Sequence, residues 1–376
     1  MLIGIPKEVK NHEYRIGATP AMVKSLIEAN HTVWIQKDAA KRIGFTNEQY
    51  INAGATIKET AEEIYDAEMI IKVKEPQLSE FDLLKEGQIL FCYLHLAPDP
   101  FQTEKLLEKK VVGIAYETVI DASNRLPLLT PMSEIAGRIA IQAGAYCLQM
   151  ANGGKGVLLG GIPGVNPGKV LIIGGGVVGT EAARMAMGLG ADVTVLDRNL
   201  NRLRELDFVY GNKLKTLYSS PHIVDEIIGD MDLIIGAVLI PGKTAPKIIT
   251  REHLRMMQPG SAVVDVSIDQ GGCMATSKPT SHSDPIYEEE GIVHYCVSNM
   301  PGACAKSATI GLTNATLPYA LKIANMGYEK ALMDDPLLRE GLNVHFGKVT
   351  NQHVALDLGY EYYPSQEVLT QVAAAI

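Results

Sequence analysis

Short, almost wholly apolar runs alternate with amphipathic stretches along most of the chain. In the first third, residues 2–5, 31–36, 69–74, 89–94 and 111–116 read as strands. Residues 20–29 read as a helix, with Thr19 as the N-cap that accepts from the free N–H groups of the first turn. Strands that are apolar throughout, rather than alternating, are buried on both faces. With helices between them they indicate a parallel sheet covered on each side. Residues 133–150 carry a long helical pattern rich in Ala, Gly, Ile and Leu, which stops at Asn152-Gly153-Gly154. A Gly- and Pro-rich loop at 153–168 leads into a second series of strands at 170–173, 192–196, 233–237, 262–265 and 293–297. The chain turns helical again from Ala305 to about Met333, with a shorter helical segment at 336–340.

The expected fold is α/β: two Rossmann-like domains with mostly parallel sheets, joined by long helices around a cleft. One long helix leads into the second unit and another leads out, so the second unit reads as an insertion into the first. This places a substrate domain at residues 1–128 plus 307–376 and a dinucleotide domain at residues 129–306. Composition narrows the picture further. The 376 residues carry 34 Lys plus Arg against 43 Asp plus Glu, a net charge of −9, with 47% hydrophobic residues. Such a chain can fill two cores, and its charge excludes a general affinity for nucleic acid or an anionic membrane. The five cysteines lack a Cys-x-x-Cys pair, which favours buried free thiols in a reducing compartment. Glu117 and His294 stand alone without ligand spacing, so no metal site is expected. No apolar run reaches about 18 residues and the start does not read as a secretion signal, so a cytoplasmic protein is expected.

The strongest local signal follows residues 170–173. Gly174-x-Gly176-x-x-Gly179 opens a helical run and is followed by a strand ending at Asp197, about twenty residues on. In a dinucleotide turn the first glycine allows the bend, the second lets pyrophosphate approach the backbone, and the third lets helix and strand pack closely. The pyrophosphate then meets the helix N-terminus, where unpaired N–H groups and the helix dipole favour negative charge. Asp197 suits the ribose hydroxyls of NAD and repels the extra phosphate of NADP, although the adjacent Arg198 could accommodate that phosphate.

Four polar residues stand where site groups of an open α/β sheet belong. Lys74 and His95 close apolar runs, Asp269 follows the run at 262–268, and Arg15 lies in the loop after the first strand. Each also has an ordinary reading as a solvated charge, a hydrogen-bonded structural histidine or a turn-capping aspartate.

Gly-Ile-Pro-Lys-Glu-Val-Lys-Asn-His-Glu-Tyr-Arg ending at Arg15, Val-Lys-Glu-Pro (73–76), Tyr-Leu-His-Leu-Ala (93–97), Asp-Val-Ser-Ile-Asp-Gln-Gly-Gly (265–272) and Val-Ser-Asn-Met-Pro-Gly-Ala (297–303) together resemble the bacterial L-alanine dehydrogenases. Motif order is kept over essentially the whole chain. The wider family includes the cofactor-binding subunit of proton-translocating transhydrogenase and, more distantly, lysine-forming saccharopine dehydrogenases. The resemblance implies reversible deamination of L-alanine to pyruvate and ammonium with hydride transfer to NAD. It assigns Arg15 and Lys74 to the substrate carboxylate and His95 and Asp269 to catalysis. Alongside Gly174, Gly176 and Gly179, it assigns Ser133, Val178, Asp197, Arg202, Ser219, Val238, Leu239, Ile268, Asn299 and Met300 to the cofactor. Lys278 stands where the family usually has Arg. The resemblance also implies a homohexamer. The competing readings are a transhydrogenase cofactor subunit, against which Thr-Pro-Met-Ser-Glu-Ile (130–135) argues, and a non-catalytic NAD sensor on the same fold.

Overall fold

The computed structural model describes residues 1–238 and 244–373. The chain divides into two compact units, one built from Met1–Pro131 with the segment from Cys304 onward, the other from Met132–Ala303.

In the first unit β1 (Leu2–Ile5), β2 (Thr32–Gln36), β3 (Thr56–Lys58), β4 (Met69–Ile71), β5 (Ile89–Cys92) and β6 (Val112–Ala115) pair in parallel. The second unit holds β7 (Lys169–Ile173), β8 (Asp192–Asp197), β9 (Lys215–Tyr218), β10 (Leu233–Gly236), β11 (Ala262–Asp265), β12 (Ile286–Glu289) and β13 (Ile292–Tyr295). The chain then returns to the first sheet through β14 (Leu342–His345) and β15 (Lys348–Val349).

The first sheet runs β15-β14-β6-β5-β4-β1-β2-β3, and the second β12-β13-β11-β10-β7-β8-β9. Within each, the first strand of the unit lies inside the sheet, with later strands laid down on both sides of it. Among the named strands, β14 pairs antiparallel with β6 and β15, and β12 with β13. This doubly wound order creates a switch point between β1 and β4 in one unit and between β7 and β10 in the other. There the chain leaves neighbouring strands in opposite directions, opening a crevice at their carboxyl ends.

The unbroken apolar runs have a simple cause. Val170 and Ile172 of β7 enter one core cluster while Leu171 and Ile173 enter another, so both faces of the strand are covered. Helix Pro20–Glu28 starts at Thr19, whose hydroxyl accepts from the Met22 N–H at 3.2 Å. The long helix begins three residues earlier than expected and spans Thr130–Cys147. The C-terminal helical stretch is broken at Gly327 (φ +76°), into Ala305–Met326 and Tyr328–Asp334.

Two strands end early because carboxylates take their backbone donors. Beyond Ile71 the N–H groups of Val73 and Lys74 donate to Glu8, and beyond Cys92 those of Leu94 and His95 donate to Glu117. The expected strands at 69–74 and 89–94 are therefore three and two residues too long. β3, β9 and β12 escape the pattern reading because they are partly exposed and carry no apolar run. All five cysteines are free, but Cys304 is exposed, which corrects the expectation of burial for that residue. Among the described residues, no helix is long and apolar enough to cross a membrane.

Candidate functional site

In the first unit, Arg15, Lys74 and His95 follow β1, β4 and β5, which are consecutive in the sheet and include the switch point. Arg15 is buried, and its guanidinium grips Glu13 with two bonds, Nε to Oε1 at 2.7 Å and Nη2 to Oε2 at 2.5 Å. Burial opposes the Arg15 charge, but Glu13 outweighs it and holds the guanidinium firmly protonated. A two-pronged grip on a planar fork fixes its orientation as well as its charge. Lys74 extends its ammonium to 3.8 Å from Glu75, which is itself paired with Lys10. Burial works against the Glu75 charge, yet Lys74 and Lys10 prevail and hold the carboxyl below its ordinary range. Two cations sharing one carboxylate leave positive charge at this strand end, the polarity a substrate carboxylate needs.

His95 sits at φ +48°, a left-handed conformation that costs a non-glycine residue of order 1 kcal/mol. Glu117 holds it there. Its Oε1 accepts from the His95 N–H at 2.6 Å and the Leu94 N–H at 3.1 Å, and lies 3.9 Å from the imidazole Nδ1. The imidazole is 43% exposed, so it can meet a ligand. Its other support is Tyr93, whose ring lies parallel at 5.8 Å and whose hydroxyl donates to the Leu128 carbonyl at 2.6 Å. Burial raises the Tyr93 hydroxyl above its usual range, with Arg15 acting in the opposite sense, so the phenol stays neutral. Glu13 thus supports Arg15, and Tyr93 and Glu117 support His95; sequence pattern gave none of them this role. The one available signal was Glu117 closing the apolar run at 111–116, directly beside the end of β5.

In the second unit, Gly174 follows β7 with φ +104°, and a side chain there would meet the Ala237 carbonyl oxygen at 2.5 Å. The turn therefore draws the ends of β7 and β10 together. Gly179 lies so close to the Gly174 carbonyl oxygen that a Cβ would collide with it. Gly176, the N-cap of helix Val177–Gly188, differs, because a Cβ there would meet nothing within 4 Å. Open space before the first turn of a twelve-residue helix, facing its unpaired N–H groups, is where a pyrophosphate fits. These residues suit a dinucleotide.

Asp197 ends β8. Its Oδ2 accepts from the Gly175 N–H at 2.7 Å and its Oδ1 from the Asn199 N–H at 2.8 Å, so the carboxylate is aimed by backbone. Arg202 folds over the same turn, donating to the Gly175 carbonyl and to the Thr180 hydroxyl, each at 2.6 Å. Ser219 is buried after β9, and its N–H donates to the Asp197 carbonyl. Val238 follows β10, and its N–H donates to the Ser267 hydroxyl at 2.9 Å. Ser133 lies one helical turn before Gly137, whose absent side chain lets the Val178 carbonyl approach. Ile268 and Met300 are buried, and Asn299 adopts φ +63°. Lys278 turns toward the edge strands, pairing with Glu289 at 2.5 Å. Leu239 lies outside the described residues.

Asp269 is exposed on the 3-10 turn Val266–Gln270 after β11. The buried Asp265 organises that loop, accepting from Ser267 N–H (3.0 Å), Cys273 N–H (2.8 Å) and the Ser277 hydroxyl (2.5 Å). His294 is buried in a structural role, bonded to Thr276 and to the Ile292 carbonyl. Among the described residues, no three His, Cys, Asp or Glu side chains group closely enough to hold a metal ion.

Comparison with known proteins agrees with this geometry. Residues 4–136 match the profile "Alanine dehydrogenase/PNT, N-terminal domain", and residues 140–352 match "Alanine dehydrogenase/PNT, C-terminal domain". The chain is 54% identical over 373 residues to an alanine dehydrogenase of Methanococcus maripaludis, covering 99% of this chain and 100% of that one. It is 53% identical over 370 residues to an alanine dehydrogenase of Bacillus subtilis, covering 98% of each. A solved L-alanine dehydrogenase superposes with a TM-score of 0.93 at 49% identity, over 96% of this chain and 99% of that one. A transhydrogenase from Sinorhizobium meliloti shares the fold, with a TM-score of 0.81 at 23% identity over 93% of this chain and 100% of that one. Two domain matches in order, and identity above one half over nearly the full length, show that the chain belongs to the alanine dehydrogenase/PNT family.

Proposed function

We propose that this protein is an NAD-dependent L-alanine dehydrogenase, catalysing L-alanine + NAD⁺ + water ⇌ pyruvate + ammonium + NADH + H⁺. The observation that supports the reading is that Arg15, Lys74 and His95 follow β1, β4 and β5, which are neighbours in one sheet. A carboxylate-binding pair beside an exposed imidazole is what deamination of a small amino acid requires. The first unit takes the substrate and the second holds the cofactor at Gly174, Gly176, Gly179 and Asp197.

A dinucleotide held at Gly174, Gly176, Gly179 and Asp197 would supply the hydride-transfer chemistry. The protein's share is positioning and proton transfer. Arg15 offers a planar fork and Lys74 a compact charge, so together they fix the carboxylate and with it the α-carbon. His95 carries protons between water and the substrate nitrogen. Asp269 orients the water that adds to the imine carbon or shares a proton transfer. Glu117 and Tyr93 hold His95 in place.

Location in the cytoplasm, resting on the sequence composition, and a homohexameric assembly, resting on family resemblance alone, complete the proposal. The deciding experiment is oxidation of NADH by pyruvate and ammonium, run beside other 2-oxo acids. Turnover with pyruvate is expected, and its absence would overturn the substrate. Replacing His95 with Ala should abolish most turnover, and near-normal activity would remove its assigned role.

A further inference from the structure

Beneath the candidate clamp lies a buried ionic cluster with no place in the chemistry above. Lys72 is fully buried, and its ammonium is bonded to Glu80 at 2.7 Å and Glu8 at 3.2 Å. Glu80 also accepts from the Tyr65 hydroxyl at 2.8 Å and the Gln77 N–H at 2.9 Å. One ammonium faces two carboxyl groups in a dry interior, and burial pushes the Glu8 carboxyl above its ordinary range, with Lys72 acting in the opposite sense. Buried polar groups of this kind are costly to retain, and a hydrophobic packing would serve stability as well.

Glu8 Oε1 accepts from the Val73 N–H at 2.7 Å and the Lys74 N–H at 3.4 Å, while its Oε2 meets Lys72. Glu8 lies on the loop that leaves β1 and ends at Arg15. Lys72, Val73 and Lys74 lie on the segment that leaves β4. These are the two segments that diverge at the switch point, and backbone pairing between β1 and β4 ends at Gly4 and Ile70. Glu8 replaces the missing ladder with a side-chain tie, and a second tie runs from Lys10 to Glu75.

We propose that Glu8 is a positioning residue for substrate carboxylate binding, lacing the Arg15 loop to the Lys74 segment through its acceptor bonds to the Val73 and Lys74 N–H groups. This rests on Arg15 and Lys74 being the carboxylate clamp. Glu8 touches no substrate, and its effect reaches the reaction through the spacing of those two cations.

The test is steady-state kinetics of the full chain with pyruvate, ammonium and NADH, with Tm and NADH Kd measured for each variant. Glu8→Gln keeps an acceptor oxygen for the Val73 and Lys74 N–H groups, so KM for pyruvate should stay within about threefold of wild type. Glu8→Leu has similar bulk without an acceptor and should raise KM for pyruvate by roughly tenfold or more, with NADH Kd unchanged. Glu8→Asp retains the carboxyl group but draws it back by one methylene. It should also raise KM, and it decides the matter if the Leu variant does not fold. A lowered Tm with unchanged KM in the Leu and Asp variants overturns the proposal, as does equal kinetic damage in the Gln and Leu variants. Lys74→Ala separates the two ideas. If that variant leaves KM for pyruvate unchanged, the clamp itself is wrong. If it raises KM while Glu8→Asp and Glu8→Leu do not, only the positioning role falls.

Discussion

Gly176 and Gly179 stand three residues apart in one motif, yet the structure gives them opposite sensitivities. At Gly176 a Cβ would meet no atom within 4 Å, and φ −67° with ψ −161° is backbone that alanine adopts freely. Gly176→Ala should therefore leave the folded protein intact and could stabilise it by about 0.4–1 kcal/mol through the unfolded chain. The added methyl would, however, stand where a pyrophosphate must approach the backbone, so NADH Kd should rise roughly tenfold or more, equivalent to at least about 1.4 kcal/mol. At Gly179 the Cβ would collide with the Gly174 carbonyl oxygen and press on the Ile172 side chain at 3.3 Å. Neither neighbour can yield, since Gly174 is fixed against Ala237 and Ile172 is fully buried. Overpacking of this kind costs about 1–3 kcal/mol. For a unit of this size that corresponds to a fall in Tm of very roughly 3–10 °C. Differential scanning calorimetry without cofactor, paired with fluorescence titration of NADH, distinguishes the two. A Gly176→Ala protein that loses as much Tm as Gly179→Ala, or binds NADH like wild type, would refute the reasoning.

Three further outcomes follow from the same coordinates. Glu117→Ala frees the Leu94 and His95 N–H groups and removes the support for φ +48° at His95. It should lower kcat about 10–100-fold, by analogy with displaced catalytic groups, while NADH Kd holds; unchanged kcat would show that Glu117 is dispensable. Asp265→Ala strands several buried donors, each worth about 1–3 kcal/mol, and should destabilise the protein by at least about 3 kcal/mol in urea unfolding. Burial, reinforced by the Lys348 charge, pushes the buried His345 down to about 4 from an ordinary 6.5. A histidine depressed on folding binds more protons when unfolded. Its contribution is therefore fully present above about pH 6.5 and is lost as pH falls toward 4, amounting to about 2–3 kcal/mol. The Tm of His345→Gln should fall less steeply over that window than that of wild type, and parallel curves would exclude the histidine.

What the sequence determined by itself was local and periodic. Apolar runs located the central strands because a strand covered on both faces has no polar alternation to disguise it. The glycine turn was legible because each glycine answers a steric demand set within a few residues, and Asp197 because its distance along the chain is fixed by one βαβ unit. Strand-end position drew attention to Lys74 and His95, and family resemblance supplied their roles. The tertiary structure alone decided the rest. Edge strands such as β3 and β9 owe their pairing to a neighbour rather than to their own hydrophobicity, so their residues carry no signal. The supports of the site lie far from it in sequence: Glu8 is 65 residues from Val73, and Glu117 is 22 from His95. A carboxylate that satisfies backbone N–H groups looks like any surface acid until the fold buries it. The doubly wound order makes β1, β4 and β5 neighbours, so the segments that carry Arg15, Lys74 and His95 leave the same edge of one sheet.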